Sequence, residues 1–218
     1  MKKIGLYSLV CLVLIGCGGG GSPATGGTID PSDINLTKDI QDGKVSGYNS
    51  NDSIEDQYLA VINYVRSLKV KCNDPAAITG PSGKDMYWNP LLEDAAEEHS
   101  EDMKLSDHYA HDGSGTSNDI TGQTFTPARA SKFNERISRN GYTGAMTAEN
   151  IAMSASKPGK QPANYWIKVM EGWMKSDHGH CSNIMNPQLT EFGMFESRAD
   201  VNATGWYKVY WTQDFGGQ

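Results

Sequence analysis

Beyond residue 16 the sequence contains no long apolar run, so no later stretch is suited to cross a bilayer as a helix. Basic residues are in deficit, 19 against 26 acidic ones for a formal charge of −7, and this argues against nucleic acid as a partner. Cysteine is scarce: the four in 218 residues are few enough to follow individually. There are no internal repeats. The loop Gly113-Ser114-Gly115-Thr116 lacks the lysine and following helix that a phosphate cradle needs. Nothing basic accompanies the tryptophans and tyrosines toward the C-terminus, so they read as core or cleft wall and not as a base-stacking platform. No serine sits in a nucleophile elbow.

What is present begins at the N-terminus. Lys2 and Lys3 precede an apolar run from Ile4 to Ile15 that ends in Gly16 and Cys17, the charge order and length of a cleavable export signal over residues 1–16. Leu14-Ile15-Gly16-Cys17 resembles the lipobox of bacterial lipoproteins, in which Cys17 becomes the acylated first residue; a plain signal peptide cut nearby is the alternative. Cleavage removes two lysines and no acids, leaving 17 basic residues against 26 acidic and a formal charge of −9. With Cys11 discarded and Cys17 lipidated, Cys72 and Cys181 remain, and an oxidising compartment favours one disulfide between them over two buried free thiols. The expected location is the bacterial cell envelope or its outer face, held by lipid, with the outer membrane favoured over the inner in a two-membrane cell.

Residues 17–52 are rich in Gly, Ser, Asn, Asp and Thr and read as a lipidated cysteine followed by a flexible tether. A domain over 53–218 then starts at Ser53, a helix cap with Asp56 three residues on. Ile54, Tyr58, Val61, Ile62, Val65 and Leu68 follow at helical spacing. Asn89-Pro90 starts a second helix expected to end near Leu105. Thr126-Pro127 repeats that signal ahead of Phe133 and Ile137, with Gly141 as C-terminal cap, and a fourth helix is expected from about Pro162 to Lys175. After Pro187 the pattern alternates: Tyr207, Val209, Trp211, Gln213 and Phe215 share one face of a strand, with Phe192 to Arg198 as its antiparallel partner across a turn at Asn202 to Gly205. Glu149 to Met153 suits a third strand. Helices first and paired strands last indicate an α+β domain.

Of five histidines, His99 lies on the inner stripe of the second helix and reads as a satisfied core residue, while His108, His111, His178 and His180 follow helices and read as site candidates. In order along the chain, Asn63-Tyr64-Val65-Arg66, Trp88-Asn89-Pro90-Leu91-Leu92, Tyr109-Ala110-His111, Gly141-Tyr142, Glu149-Asn150-Ile151-Ala152, Gly179-His180-Cys181-Ser182-Asn183 and Tyr210-Trp211-Thr212-Gln213-Asp214-Phe215-Gly216 are similar to segments of the CAP or SCP superfamily. That superfamily comprises the cysteine-rich secretory, antigen 5 and pathogenesis-related 1 proteins. The resemblance implies an α-β-α sandwich, with a small antiparallel sheet between helical layers, and an acidic cleft lined by His111, Glu149 and His180. A second family glutamate has no counterpart: Ser176 stands at that offset from Trp173, and Glu171, one turn earlier, is a candidate stand-in. His178 belongs to a one-residue insertion and reads as an exposed neighbour that could join a metal.

Two imidazoles and a carboxylate in a cleft suit a divalent metal such as zinc, acid–base chemistry, or a structural hydrogen-bonded set. No cofactor is required, and the resemblance permits zinc at His111, Glu149 and His180 without demanding it. The leading expectation is a lipid-anchored binding or interaction module. Its partners are the membrane, through the anchor, and envelope proteins, peptides, glycans or lipids. The alternatives are a metal-assisted peptide or ester hydrolase and a carrier of sterols or fatty acids.

Overall fold

A computed structural model describes residues 28–74, 84–161 and 164–218 of the chain. The expected export signal and Cys17 lie outside the described residues. Among those residues, no helix is long and apolar enough to cross a membrane.

The chain enters through a short 3-10 turn at Pro31–Asp33 and a six-residue helix, α1 (Leu36–Gln41), whose first turn is capped by the Asn35 side chain accepting from Lys38 N. This corrects the expected tether. Ile34, Leu36 and Val45 are buried with the main core, and Ile29 bridges to Val70, so the segment from 28 onward is built into the domain. Three apolar side chains spread over a dozen polar residues escape a composition reading, yet each contributes about 1.5–3 kcal/mol when buried.

Helix α2 (Ile54–Ser67) has the expected cap, Ser53 Oγ accepting from Asp56 N, and buries Tyr58, Val61, Ile62 and Val65. After the two-residue strand β1 (Tyr87–Trp88), helix α3 (Pro90–Ser106) is capped by Asn89 and ends one residue past the expected Leu105. Helix α4 (Phe133–Arg139) starts six residues later than Thr126-Pro127 suggested. Its first turn is closed by Glu135, which accepts from Lys132 N, a start that a lysine at the cap position does not advertise. Strand β2 (Met146–Ser156) extends the expected Glu149–Met153 piece at both ends. Helices α5 (Trp166–Lys175) and α6 (His180–Met185) follow, then the hairpin β3 (Glu191–Arg198) and β4 (Tyr207–Gly217). Asn202 and Gly205 close the expected turn between them.

The sheet order is β1-β3-β4-β2. Strands β2 and β3 flank β4 antiparallel, while the short β1 runs parallel to β3, which makes the sheet mixed and not wholly antiparallel. One face carries Phe192, Met194, Val209, Trp211 and Phe215 into a core shared with α1, α2, α5 and α6. The opposite face, with Ile151 and Tyr210, meets Met103 of α3. Helix α3 lies so close that a methyl group at Gly193 would overlap the backbone of Glu93. The result is the three-layer α+β sandwich that the sequence led one to expect.

Cys72 and Cys181 form a disulfide with Cα atoms 5.6 Å apart, closing a sequence separation of 109 residues. It fastens the segment after α2 to the start of α6, beside His180.

Candidate functional site

Strand β2 is the free edge of the sheet, and the cleft runs along it. Two hollows open there. One, of about 300 Å³, is lined by Tyr109, Ile151, Met153, Val169, Ser176 and His180. The other, of about 530 Å³, is lined by Lys132, Phe133, His111, Thr147, Glu149 and Asn183. The middle of the strand edge itself is closed by side chains: Trp173 Nε1 and Tyr109 Oη donate to Ile151 O, at 3.0 and 3.3 Å, and Asn183 Nδ2 donates to Glu149 O at 3.2 Å. These bonds satisfy carbonyls that would otherwise invite another strand.

Glu149 points from β2 toward α3, and its side chain is 1% exposed. His111 Nδ1 bonds Oε1 at 2.8 Å, and Arg136 of α4 donates through Nη2 to Oε2 at 2.7 Å. The same guanidinium donates to His111 O at 2.9 Å and, through Nη1, to Ser131 Oγ at 3.0 Å, so one cation holds the His111 loop, the start of α4 and the carboxylate together. Burial works to raise the Glu149 pKa, but His99, Arg136 and His111 outweigh it and hold the carboxyl below its usual range.

The His111 side chain is half exposed, with Nδ1 turned inward to Glu149. On the far side of the cleft, His180 Nδ1 lies 2.8 Å from Ser176 Oγ, which also accepts from His178 N at 3.1 Å. Burial lowers the His180 pKa, and the nearby His111 lowers it further. Thus Ser176 meets His180 at the position where the resemblance placed a glutamate. Glu171 does not reach the site: its oxygens are taken by Lys168 and Lys175 at 3.0 and 2.9 Å. His178 is exposed beside Asp177.

Behind Glu149 lies a set of groups that no motif announces. His99 is buried as expected, with Nε2 donating to Ala110 O at 2.9 Å and standing 4.0 Å from Glu149 Oε2, but its Nδ1 has no partner among the described residues. Asp214 faces Glu149 directly across the β2–β4 pair, and both its carboxyl oxygens are buried without a partner there. Burial, reinforced by the Glu149 charge, raises its pKa well above the ordinary carboxylate value and so favours the protonated form.

That shift has a measurable sign. A group whose folded pKa is raised adds stability that is whole below its unfolded pKa, about 3.8 here, and drains away as pH climbs toward the folded value. Asp214→Asn removes the ionisable group while keeping the size, so urea unfolding between pH 5 and pH 8 is expected to show a flatter decline than the wild type. An unchanged slope would mean that Asp214 ionises freely in the fold.

The donor set tests the metal expectation. Both Glu149 oxygens are engaged, and His111 and His180 each have Nδ1 engaged, leaving their two Nε2 atoms without a partner among the described residues. Among the described residues no three His, Cys, Asp or Glu side chains are gathered to hold a metal ion. The residues do not fit a three-ligand centre through Glu149; what they offer is a pair of imidazole nitrogens.

A three-layer sandwich with two histidines and a buried glutamate along the free edge of its sheet defines a class of small extended-cleft domain. Residues 59–215 match the sequence profile of the cysteine-rich secretory protein family, CAP, and the chain belongs to that family. A solved structure similar to it is an extracellular protein containing an SCP domain from Bacillus anthracis str. Ames, with 21% identity and a TM-score of 0.49, covering 75% of this chain and 40% of that one. The present chain therefore spans less than half the length of that protein. No curated protein sequence matches it.

Proposed function

We propose that the protein is an envelope-anchored CAP-domain binding module, which presents the Nε2 edges of His111 and His180 to a ligand lying along the outer side of β2. The observation that carries this reading is the burial and pairing of Glu149: 1% exposed, with one oxygen on His111 and the other on Arg136, it acts as a positioning carboxylate that fixes an imidazole in place and does not present itself to a ligand in the cleft.

The test has two arms. A panel of peptide and ester substrates is expected to show no turnover that His111→Ala abolishes; one such activity would replace the module by the hydrolase. Zinc titrated calorimetrically into the exported protein is expected to bind weakly and to lose binding with either His111→Ala or His180→Ala. Tight binding that survives in both would place any metal elsewhere. Co-purifying lipid or saturable uptake of a labelled sterol would favour the carrier reading instead.

Export is proposed on the charge order and apolar run of residues 1–16, and anchoring through Cys17 on the lipobox sequence alone. Cys17→Ala is expected to move the protein from the membrane fraction to the soluble exported fraction. Retention in the membrane would sink the anchor.

A further inference from the structure

Away from the cleft, β1 covers only Glu191 and Phe192 of β3, and beyond that point the outer edge of β3 borders a hollow of about 310 Å³ between α2, α3 and α5. It shares no lining residue with the cleft. Tyr58 and Trp166 form part of its wall, packed edge to face with ring centroids 4.8 Å apart, together with Ile54, Met194 and Phe195. The remaining lining residues are three glutamates from three different elements: Glu55 of α2, Glu93 of α3 and Glu196 of β3.

Two features separate this hollow from an ordinary solvated acidic patch. First, Glu55 and Glu93 have no lysine or arginine partner among the described residues; Glu93 accepts only from Trp88 Nε1, at 3.1 Å. Glu196 alone is paired, with Arg198 at 3.0 Å. Second, Tyr58 is 3% exposed and lines the hollow, yet its hydroxyl has no hydrogen-bond partner among the described residues. Burial raises the Tyr58 pKa, and Glu196, Glu55 and Glu93 raise it further, which places the hydroxyl in the field of all three carboxylates. Burial also raises that of Glu93, and the charge of Glu55 adds to the effect.

An apolar, aromatic wall with uncompensated carboxylates at its rim and an unpaired hydroxyl within suits one ligand chemistry. Methylene groups pack against Ile54, Met194 and the rings, while ammonium groups meet the carboxylates and ring faces and the phenol oxygen accepts an N–H. A metal ion would gain nothing from the apolar wall, and a fatty acid would bring its carboxylate to three others. We infer that this hollow is a binding site for a short alkyl di- or polyamine of the putrescine or spermidine class.

The experiment is calorimetry on the full exported chain with putrescine and spermidine at about 150 mM NaCl, a salt concentration that screens diffuse surface attraction. Saturable one-to-one binding is expected. The double variant Glu55→Gln with Glu93→Gln should weaken it about tenfold or more, the scale of losing charge-assisted hydrogen bonds, whereas Asp177→Asn with Asp200→Asn, which removes two charges elsewhere, should leave it unchanged. Tyr58→Phe, which retains the ring, should weaken binding about threefold, the scale of one neutral hydrogen bond, and gives a second reading independent of charge. Absence of saturable binding overturns the site, as does equal weakening by both double variants. Neither result touches the cleft proposal, since no residue is common to the two.

Discussion

Arg136→Met is expected to lower the free energy of unfolding by about 3–5 kcal/mol, the cost of stripping one partner from a buried ion pair. The guanidinium is 1% exposed, as is the Glu149 side chain it pairs with. Without it the Glu149 carboxylate keeps only the half-exposed His111 as a bonding partner, faces Asp214 across the strand pair, and sits in surroundings too dry to solvate it. The loop carrying His111 loses the bond to its carbonyl in the same step, and the start of α4 loses its tie to Ser131. Urea unfolding at pH 7 measures the loss. The double variant Arg136→Met with Glu149→Gln should recover part of it, because no buried charge is then left alone. A loss of under about 1 kcal/mol for the single variant would mean that water reaches the pair, as at an exposed salt bridge.

Removing the crosslink should cost a comparable amount. Replacing Cys72 and Cys181 by Ala frees a loop with a sequence separation of 109 residues. The chain-entropy account assigns about 4–5 kcal/mol to a loop of that length, less any strain relieved. Cys181 is fully buried and adjoins His180, so loosening should be felt at the cleft as well as in global stability. Comparing urea midpoints of the wild type with the double variant, and with wild type under strong reductant, tests this. Coincident midpoints for all three would show that the bond does not constrain the unfolded chain.

The elements easiest to read in advance were those whose ends carry local chemistry. Ser53 and Asn89-Pro90 mark helix starts because a side-chain oxygen must satisfy free amides there, and the alternation of β4 follows from burying a strand in a sandwich. The Cys72–Cys181 bond followed from an oxidising destination. The start of α4 was misplaced because a lysine at the cap position gives no signal and Thr126-Pro127 gives a false one. Placement after helices singled out His111 and His180 along with His108 and His178, but Glu149, and the choice of these two histidines among the four, were legible only through family resemblance. Their gathering with Arg136 and Asp214 was not legible: His99, Arg136, Glu149 and Asp214 come from four elements and are joined only when α3 and α4 close over the sheet. Arg136 could have been suspected on one ground, since it shares the inward side of α4 with its buried neighbour Ile137, where a cation needs a reason to be.

Were the protein attached at Cys17 as proposed, the pinning of Ile29 to Val70 would set how far the domain can roam. With a chain free as far as Ser53, full extension at about 3.6 Å per residue would allow an excursion on the order of 130 Å. Fixed at residue 28, the leash from Cys17 is about eleven residues and its limit is about 40 Å, whatever path those residues take. The volume that the cleft can search around one anchor shrinks by more than an order of magnitude, and its local concentration near the lipid surface rises to match. With that anchor in place, a short leash would make the surface itself, and what is embedded in it, the neighbourhood in which the protein finds its ligand.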